Sequence, residues 1–439
     1  MTNSELRGAV RGRVLLPGED GFDGAVRPWA SAVGQRVAAV VEAEDADDVA
    51  ALVRHARRAG LAVSAQATGH GASGDTEGVV LLRTGRLDAV EVRPGERTAR
   101  AGAGASWGRV LEEAAPHGLT GLAGSAPGVS VTGYTLGGGL SWFGRAHGPA
   151  AGAVRAFDVV DAEGERRRVD ASSDPDLFWA LRGGGGDFAV VTAVEFGLFP
   201  APGLYGGRVL WPGERTRAVF EAFAELTAEA PDELSVWFSR LSFPQAPPMA
   251  ALDVAYLGDA GEAAALLRRL DGIGGAISDT RGPLKPDRLG DITGDPTDPS
   301  PVLARAELLT GLDGATAETL LSAAPAPLVG ISVRHLGGAL AAAAPDGGAH
   351  GAVAEPFLLY LLGIGPNPDL ARATAARQAA IVAELGAAVS GRKPYTFLAP
   401  GESAASAFDA PALARLREIK RARDPHGVFR ANYPVLAGA

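Results

Sequence analysis

Apolar residues along the chain switch between strand and helix spacing in a way that divides it into four blocks. Residues 37–41 form a short apolar run. Residues 45–59 repeat their apolar positions at helical spacing, begin with acidic side chains and end with His55, Arg57 and Arg58. That charge order suits a helix dipole, Gly60 stops the helix, and 61–65 start a second strand. The pattern predicts a small βαβ-like unit over 37–63. A glycine-containing loop, Thr68-Gly69-His70-Gly71-Ala72-Ser73-Gly74, follows directly. Further strands are predicted at 79–82, 89–92, 98–101, 157–160, 167–169 and 190–196, separated by turn residues. A second glycine-rich stretch, 121–148, lies among them.

From about 205 to 395 the texture changes. Helices are predicted at 216–229 and 261–270, alternating with strands at 235–238, 252–256, 329–333 and 357–362. Residues 271–301 read as a long loop rich in Gly, Pro and Asp. The pattern suits an α+β arrangement with helices covering one face of an antiparallel sheet. A tail helix is predicted at 410–423, ending at Asp424-Pro425, and no internal repeat is visible.

Composition narrows the chemistry. A chain of 439 residues is expected to form two or three domains. The absence of Cys excludes disulfides, thiol nucleophiles and Cys-type zinc or iron–sulfur sites. Fifty-one acidic against 41 basic residues argue against nucleic acid as a partner. Residues 1–18 lack the apolar core of a secretory leader. Residues 321–344 are interrupted by two prolines, Arg334 and His335, so no membrane span and a cytoplasmic location are expected. No histidine pair has metal-ligand spacing, and Asp291, Asp295 and Asp298 lack a calcium-loop pattern, so no metal is expected.

The loop around His70 has the make-up of an anion cradle: consecutive backbone N–H groups with small side chains that let a pyrophosphate approach. No Lys-Ser/Thr follows the glycines, which excludes a Walker loop, and G-x-G-x-x-G with a downstream acid is missing. The other reading of such a loop is a plain turn with a polar His. The second stretch, Gly124-Ser125-Ala126-Pro127-Gly128-Val129-Ser130-Val131-Thr132-Gly133-Tyr134-Thr135-Leu136-Gly137-Gly138-Gly139, favours a ligand. Ordering so many glycines is entropically costly, and close backbone approach to a ligand is the usual compensation. Two such stretches suggest one long ligand lying across both.

Taken with three further motifs, these stretches give a specific likeness. The motifs are Asp176-Leu177-Phe178-Trp179-Ala180-Leu181-Arg182-Gly183-Gly184-Gly185-Gly186-Asp187-Phe188, His335-Leu336-Gly337-Gly338-Ala339, and Asp424-Pro425 leading to Phe429-Arg430-Ala431-Asn432. In these motifs and their order along the chain, the protein resembles the berberine-bridge-enzyme-like branch of the vanillyl-alcohol oxidase (PCMH-type FAD-binding) superfamily. The resemblance implies a split FAD-binding domain (1–205), a substrate-binding domain (206–395) and a C-terminal segment (396–439) returning to the FAD domain. It implies FAD contacts at Ala67, Thr68, Gly69, His70, Gly71, Ser125, Ala126, Pro127, Val131, Thr132, Gly133, Gly137, Gly138, Gly139, Val190, Val191 and Asn432. His70 matches the histidine that commonly bonds the flavin 8α-methyl carbon. A second link in some relatives uses a Cys where this chain has Ala126, so attachment here is at most single.

Some positions depart from the family pattern. Asp187 and Ala189 replace Asn and Gly. A carboxylate beside a flavin phosphate would be repelled, so Asp187 is expected to face elsewhere. The family's Tyr-x-Asn reads Tyr395-Thr396-Phe397, and its Tyr-Gly-Leu reads His147-Gly148-Pro149.

The resemblance further implies an oxidase or dehydrogenase that moves hydride from a small organic substrate, a secondary metabolite of natural-product biosynthesis, to flavin N5, with O₂ as electron acceptor. Such chemistry usually needs a base. The family often places it on the strand matching 357–362, where Tyr360 stands; the other reading is a packed Tyr with its hydroxyl satisfied. Tyr395 and Tyr134 are lower alternatives. Arg334 and His335 should point to opposite faces of their strand, and His335 is taken as a pocket-lining residue. A flavin-containing cyclase or isomerase without net redox, a sugar or alcohol oxidase, and a binding protein with a degenerate site are the competing readings.

Overall fold

The computed structural model describes residues 3–342 and 347–437. The outermost residues of the expected domain division, 1–2 and 438–439, and part of the apolar segment 321–344 therefore lie outside the described residues.

The N-terminal sheet has the order Arg13–Leu15, Ala39–Glu42, Val80–Arg83, Val63–Gln66. Its last three strands are parallel, with Val80–Arg83 inserted between the two strands of the expected βαβ unit. The connecting helix Ala46–Ala59 is capped by the Asp45 carboxylate, which accepts from the Asp47 and Asp48 N–H groups. Gly60, at φ 64°, closes it. The His70 loop leaves the C-terminal end of Val63–Gln66, the end at which parallel α/β sheets generally bind ligands. A second sheet, wholly antiparallel, runs Val90–Arg93, Thr98–Gly102, Val190–Gly197, Val154–Val160, Arg166–Val169.

The largest sheet includes the neighbouring strands Tyr205–Pro212, Met249–Tyr256, Leu234–Leu241, Leu328–His335, Phe357–Ile364 and Val302–Leu309. One face packs Phe238, Ile331, Val333, Leu359 and Leu361 against Phe220, Phe223, Leu320 and Ile381 of the helices Thr216–Glu229, Gly314–Ser322 and Pro368–Leu385. Strand alternation sends Arg208, Asp253, Trp237, Ser239, Ser332, Arg334 and Tyr360 to the other face.

Two of those strands and two of those helices lack a sequence signal. Tyr205–Pro212 opens Tyr-Gly-Gly, and Val302–Leu309 carries Arg305 and Glu307 inside its apolar run. Gly314–Ser322 buries only Thr316 and Leu320, and Pro368–Leu385 only Thr374, Gln378, Ile381 and Leu385, so each shows little apolar stripe. The 271–301 loop contains two-residue strands, Ser278–Asp279 and Gly282–Pro283, both pairing with Tyr205–Pro212.

The tail returns to the N-terminal sheet: Val63 N–H donates to Val428 O (2.7 Å) and Arg430 N–H to Val63 O (3.0 Å). Asp187, fully buried, explains its departure from the family's Asn. Its carboxylate accepts from the Ala431 and Val435 N–H groups (3.2 and 3.0 Å) and pairs with Lys420 at 3.3 Å. Lys420 also pairs with Asp424 (2.8 Å), which accepts from the Val428 and Phe429 N–H groups. The carboxylate faces the tail, as electrostatics required. Removing the cation would leave two buried carboxylates without it. Lys420→Met is expected to destabilise the protein by about 3–5 kcal/mol. Denaturant unfolding checks this, and a loss below about 1 kcal/mol would contradict it.

Candidate functional site

The loop after strand Val63–Gln66 holds a run of unused donors. Among the described residues, the N–H groups of Thr68, Gly69, His70 and Gly71 make no hydrogen bond, although neighbouring carbonyls are engaged. Thr68 O accepts from Trp29 N–H (2.8 Å), and Gly71 O accepts from Asn432 Nδ2 (2.8 Å). Those two contacts fix the loop from either side while leaving its amides free. Gly69 has φ +83°, and a Cβ there would come within 2.7 Å of Pro28 Cβ, so only glycine fits.

His70 stacks on Trp29 with ring centroids 4.1 Å apart and shares a 2.8 Å hydrogen bond between Nδ1 and Thr68 Oγ1. Its Nε2 has no partner among the described residues. Burial lowers the imidazole pKa to about 4, against an opposing pull from the Asp295 carboxylate. At neutral pH the ring is therefore uncharged, the state in which a ring nitrogen is a nucleophile.

The second glycine-rich stretch meets this loop through residues of the 271–301 loop. Ser125 Oγ donates to Asp295 Oδ2 at 2.6 Å. Trp29 Nε1 donates to Thr297 O at 3.0 Å, and Trp29 O accepts from Ser300 N–H at 3.0 Å. A Cβ on Gly290 would lie 3.0 Å from Pro127. Val131, Thr132 and Gly133 open the helix Val131–Leu136, and Thr132 Oγ1 is buried without a partner. Ala126 contributes its carbonyl to the Val129 N–H. Val190 and Val191 are buried mid-sheet, opposite Val160 and Val159.

The triple glycine has a reason of its own. A Cβ on Gly137 would meet Thr396 at 3.0 Å, and one on Gly139 would meet the Tyr134 ring at 2.4 Å. Gly138 lies against His350. Packing within the protein demands these glycines, whatever else their backbone touches. A crevice bordered by Gly137–Gly139, His350 and residues 393–396 opens here, and neither His70 nor Tyr360 lines it.

Facing the glycine stretches is the face of the large sheet that the helices do not cover. Tyr360 packs edge-on to Phe397 (5.8 Å) beneath the Arg334 guanidinium, which lies 4.7 Å above its ring. Burial pushes the Tyr360 phenol up, Arg334 pulls it down and Asp295 pushes it up again, for a net rise. Tyr395 lies elsewhere: its hydroxyl donates to Tyr433 O (3.0 Å) and sits where a Cβ on Gly185 would fall. Burial raises both Tyr395 and Tyr134, and the Tyr134 hydroxyl is buried without a partner.

His335 does not line this face. Alternation turns it the other way, onto Phe357 and within 3.0 Å of Arg145 Nη1. Two further residues join the site without a local sequence signal: Asp295, from an irregular loop, and Trp29, from well upstream. Among the described residues no three His, Asp or Glu side chains cluster as a metal site would require, and no helix is long and apolar enough to cross a membrane.

Residues 37–170 match the FAD binding domain family model. A FAD-dependent monooxygenase of Fusarium proliferatum is 39% identical over 217 residues, 48% of this chain and 42% of that protein. The (R)-6-hydroxynicotine oxidase of Paenarthrobacter nicotinovorans is 29% identical over 62% of this chain and 60% of its own. The chain thus spans about half the length of the curated relatives it matches. The solved structure of the BBE-like 1 protein of Physcomitrella patens superposes over 100% of both chains with a TM-score of 0.86 at 18% identity. The chain carries an FAD-binding domain and has the two-domain fold of the PCMH-type, berberine-bridge-enzyme-like flavoproteins.

Proposed function

We propose that this protein is an FAD-linked oxidoreductase that oxidises a small organic molecule, a natural-product intermediate, with O₂ as the final acceptor and with its cofactor tethered through His70 alone. The observation carrying this reading is the run of four unpaired amides around a neutral His70, inside the segment matching the FAD-binding family. The residues present fit the cofactor. The free N–H groups of residues 68–71 suit its anionic pyrophosphate, and the orphaned Thr132 hydroxyl offers a further polar contact. Ser125, Gly133, Gly137–Gly139, Val190, Val191 and Asn432 complete the proposed cofactor side, formed by residues 1–205 and the tail. Residues 206–395 supply the substrate side.

When bound, FAD supplies a two-electron acceptor. The chain's own residues do the rest. Thr68 orients the His70 ring through Nδ1, leaving Nε2 as its open nitrogen. Trp29 and Asn432 hold the loop from opposite sides. Tyr360 is the proposed base, its proton loss favoured by Arg334 and opposed by burial. Asp295, anchored by Ser125 and electrostatically coupled to His70, Tyr360 and Arg334, is the second candidate for the departing proton.

Three outcomes are expected. His70→Ala retains flavin that is lost on acid precipitation, whereas the wild-type pellet stays yellow; a yellow mutant pellet overturns the tether. Covalent incorporation of FAD into the flavin-free protein should keep a constant rate as pH falls through 6.5 and slow only towards about 4, because burial keeps His70 unprotonated until then. A rate that halves at the ordinary histidine value counts against this environment. With a compound that bleaches the flavin anaerobically, Tyr360→Phe should slow stopped-flow reduction roughly 10²–10⁴-fold. Unchanged reduction, with a loss instead in Asp295→Asn, would transfer the role to Asp295.

A further inference from the structure

Among the described residues several arginines drawn away from solvent find hydrogen-bond acceptors, and Arg334 does not. Arg83 donates to Gln66 Oε1 and to the carbonyls of Ala25 and Arg27. Arg145 reaches the carbonyls of Leu234, Leu336, Ala230 and Pro231. Arg208 forms a two-armed pair with Asp253 (2.5 and 3.0 Å), and Arg240 donates to Leu320 O and Ala323 O. Arg334, comparably half-buried, has no hydrogen bond and no ion pair among the described residues. Its Nε is shut off from solvent without an acceptor. An unpaired charge in such a place is costly and calls for a reason.

The surroundings give one. Arg334 stands directly across from Trp237 on the neighbouring strand, and its guanidinium lies 4.0 Å from the Trp237 ring centroid and 4.7 Å from that of Tyr360. Trp237 is itself stacked on Trp142 at 3.6 Å, and Phe397, edge-on to Tyr360, lies 5.7 Å from the same guanidinium. Aromatic faces hold a guanidinium by its plane and leave its N–H edges free, which is how arginine is set to receive a planar, two-oxygen anion. The nearby carboxylates are otherwise engaged: Asp253 by Arg208, Asp295 by Ser125. Neither approaches Arg334 within ion-pair distance, although both favour its charge. Ser239 and Ser332, hydrogen-bonded to each other at 3.0 Å, add a polar floor on the same sheet face.

We propose that Arg334 is the substrate-recognition residue of this sheet face and that the substrate carries a carboxylate on a planar group, received edge-on by the guanidinium while the group lies against Tyr360. This rests on the reading of the sheet face as the substrate side. It makes Arg334 a specificity determinant: a neutral analogue of the same shape would leave the guanidinium unpaired and bind poorly.

The test uses the purified flavin-loaded protein, with benzoate and its uncharged isostere benzamide as probes, followed by calorimetry and by the flavin difference spectrum. Benzoate is expected to bind more tightly than benzamide. Arg334→Gln should weaken benzoate roughly 10²-fold while leaving benzamide unchanged. Arg334→Lys, which keeps charge and most of the stem, should fall between and guards against a folding defect. Equal affinity of the wild type for both probes overturns the proposal. So does unchanged benzoate binding in Arg334→Gln accompanied by a shifted flavin reduction potential, which would place Arg334 in the service of the cofactor. A protein that takes up no FAD would defeat the oxidoreductase reading alone. Calorimetry with the same two probes would then still decide for or against Arg334.

Discussion

Four consecutive amides that find no acceptor among the described residues are the constraint around which the site is arranged. Backbone donors are almost always paired, and a loop free to relax would turn some of these inward. Here the relaxation is blocked at both ends. Trp29 holds the Thr68 carbonyl, and Asn432, brought back by the tail, holds that of Gly71. The tail arrives there because Lys420, Asp187 and Asp424 form a buried ionic knot between the last helix and the loop after the Gly183–Gly186 run. An interaction at the far end of the sequence thus keeps an N-terminal loop open.

The large sheet makes the opposing wall with the face that its helices do not cover, part of which is buried against Trp142 and its neighbours. Its helices remove one face from water, and alternation leaves the other to polar and aromatic side chains. The Arg208–Asp253 pair matters beyond its own burial. Arg208 Nη1 also donates to Thr293 O at 2.9 Å, fixing the start of the segment that carries Asp295 to Ser125 and Thr297 to Trp29. A line of contacts therefore runs from the sheet, through an irregular loop, to the ring stacked on His70.

The helices Thr216–Glu229 and Ala410–Arg423 were legible to the residue, because the first repeats its apolar positions and the second has an Asp cap and a basic end. Pro368–Leu385 was not, since its buried side includes Thr and Gln and its many alanines mark no face. The two glycine-rich stretches were visible as candidate ligand loops, but the triple glycine 137–139 has a packing cause that sequence cannot separate from ligand approach. Asp295 and Trp29 left no local trace. They reach the site only through long-range contacts, and a lone Asp in a Pro- and Gly-rich loop reads as a turn residue. Arg334 was readable as facing one way or the other, whereas its lack of a partner is a property of the packed structure alone.

The most direct measurement is the visible spectrum of the purified protein together with its mass after denaturation. The account predicts flavin absorbance and a mass greater than that of the chain by one FAD. A protein that stays colourless even after incubation with FAD would contradict it.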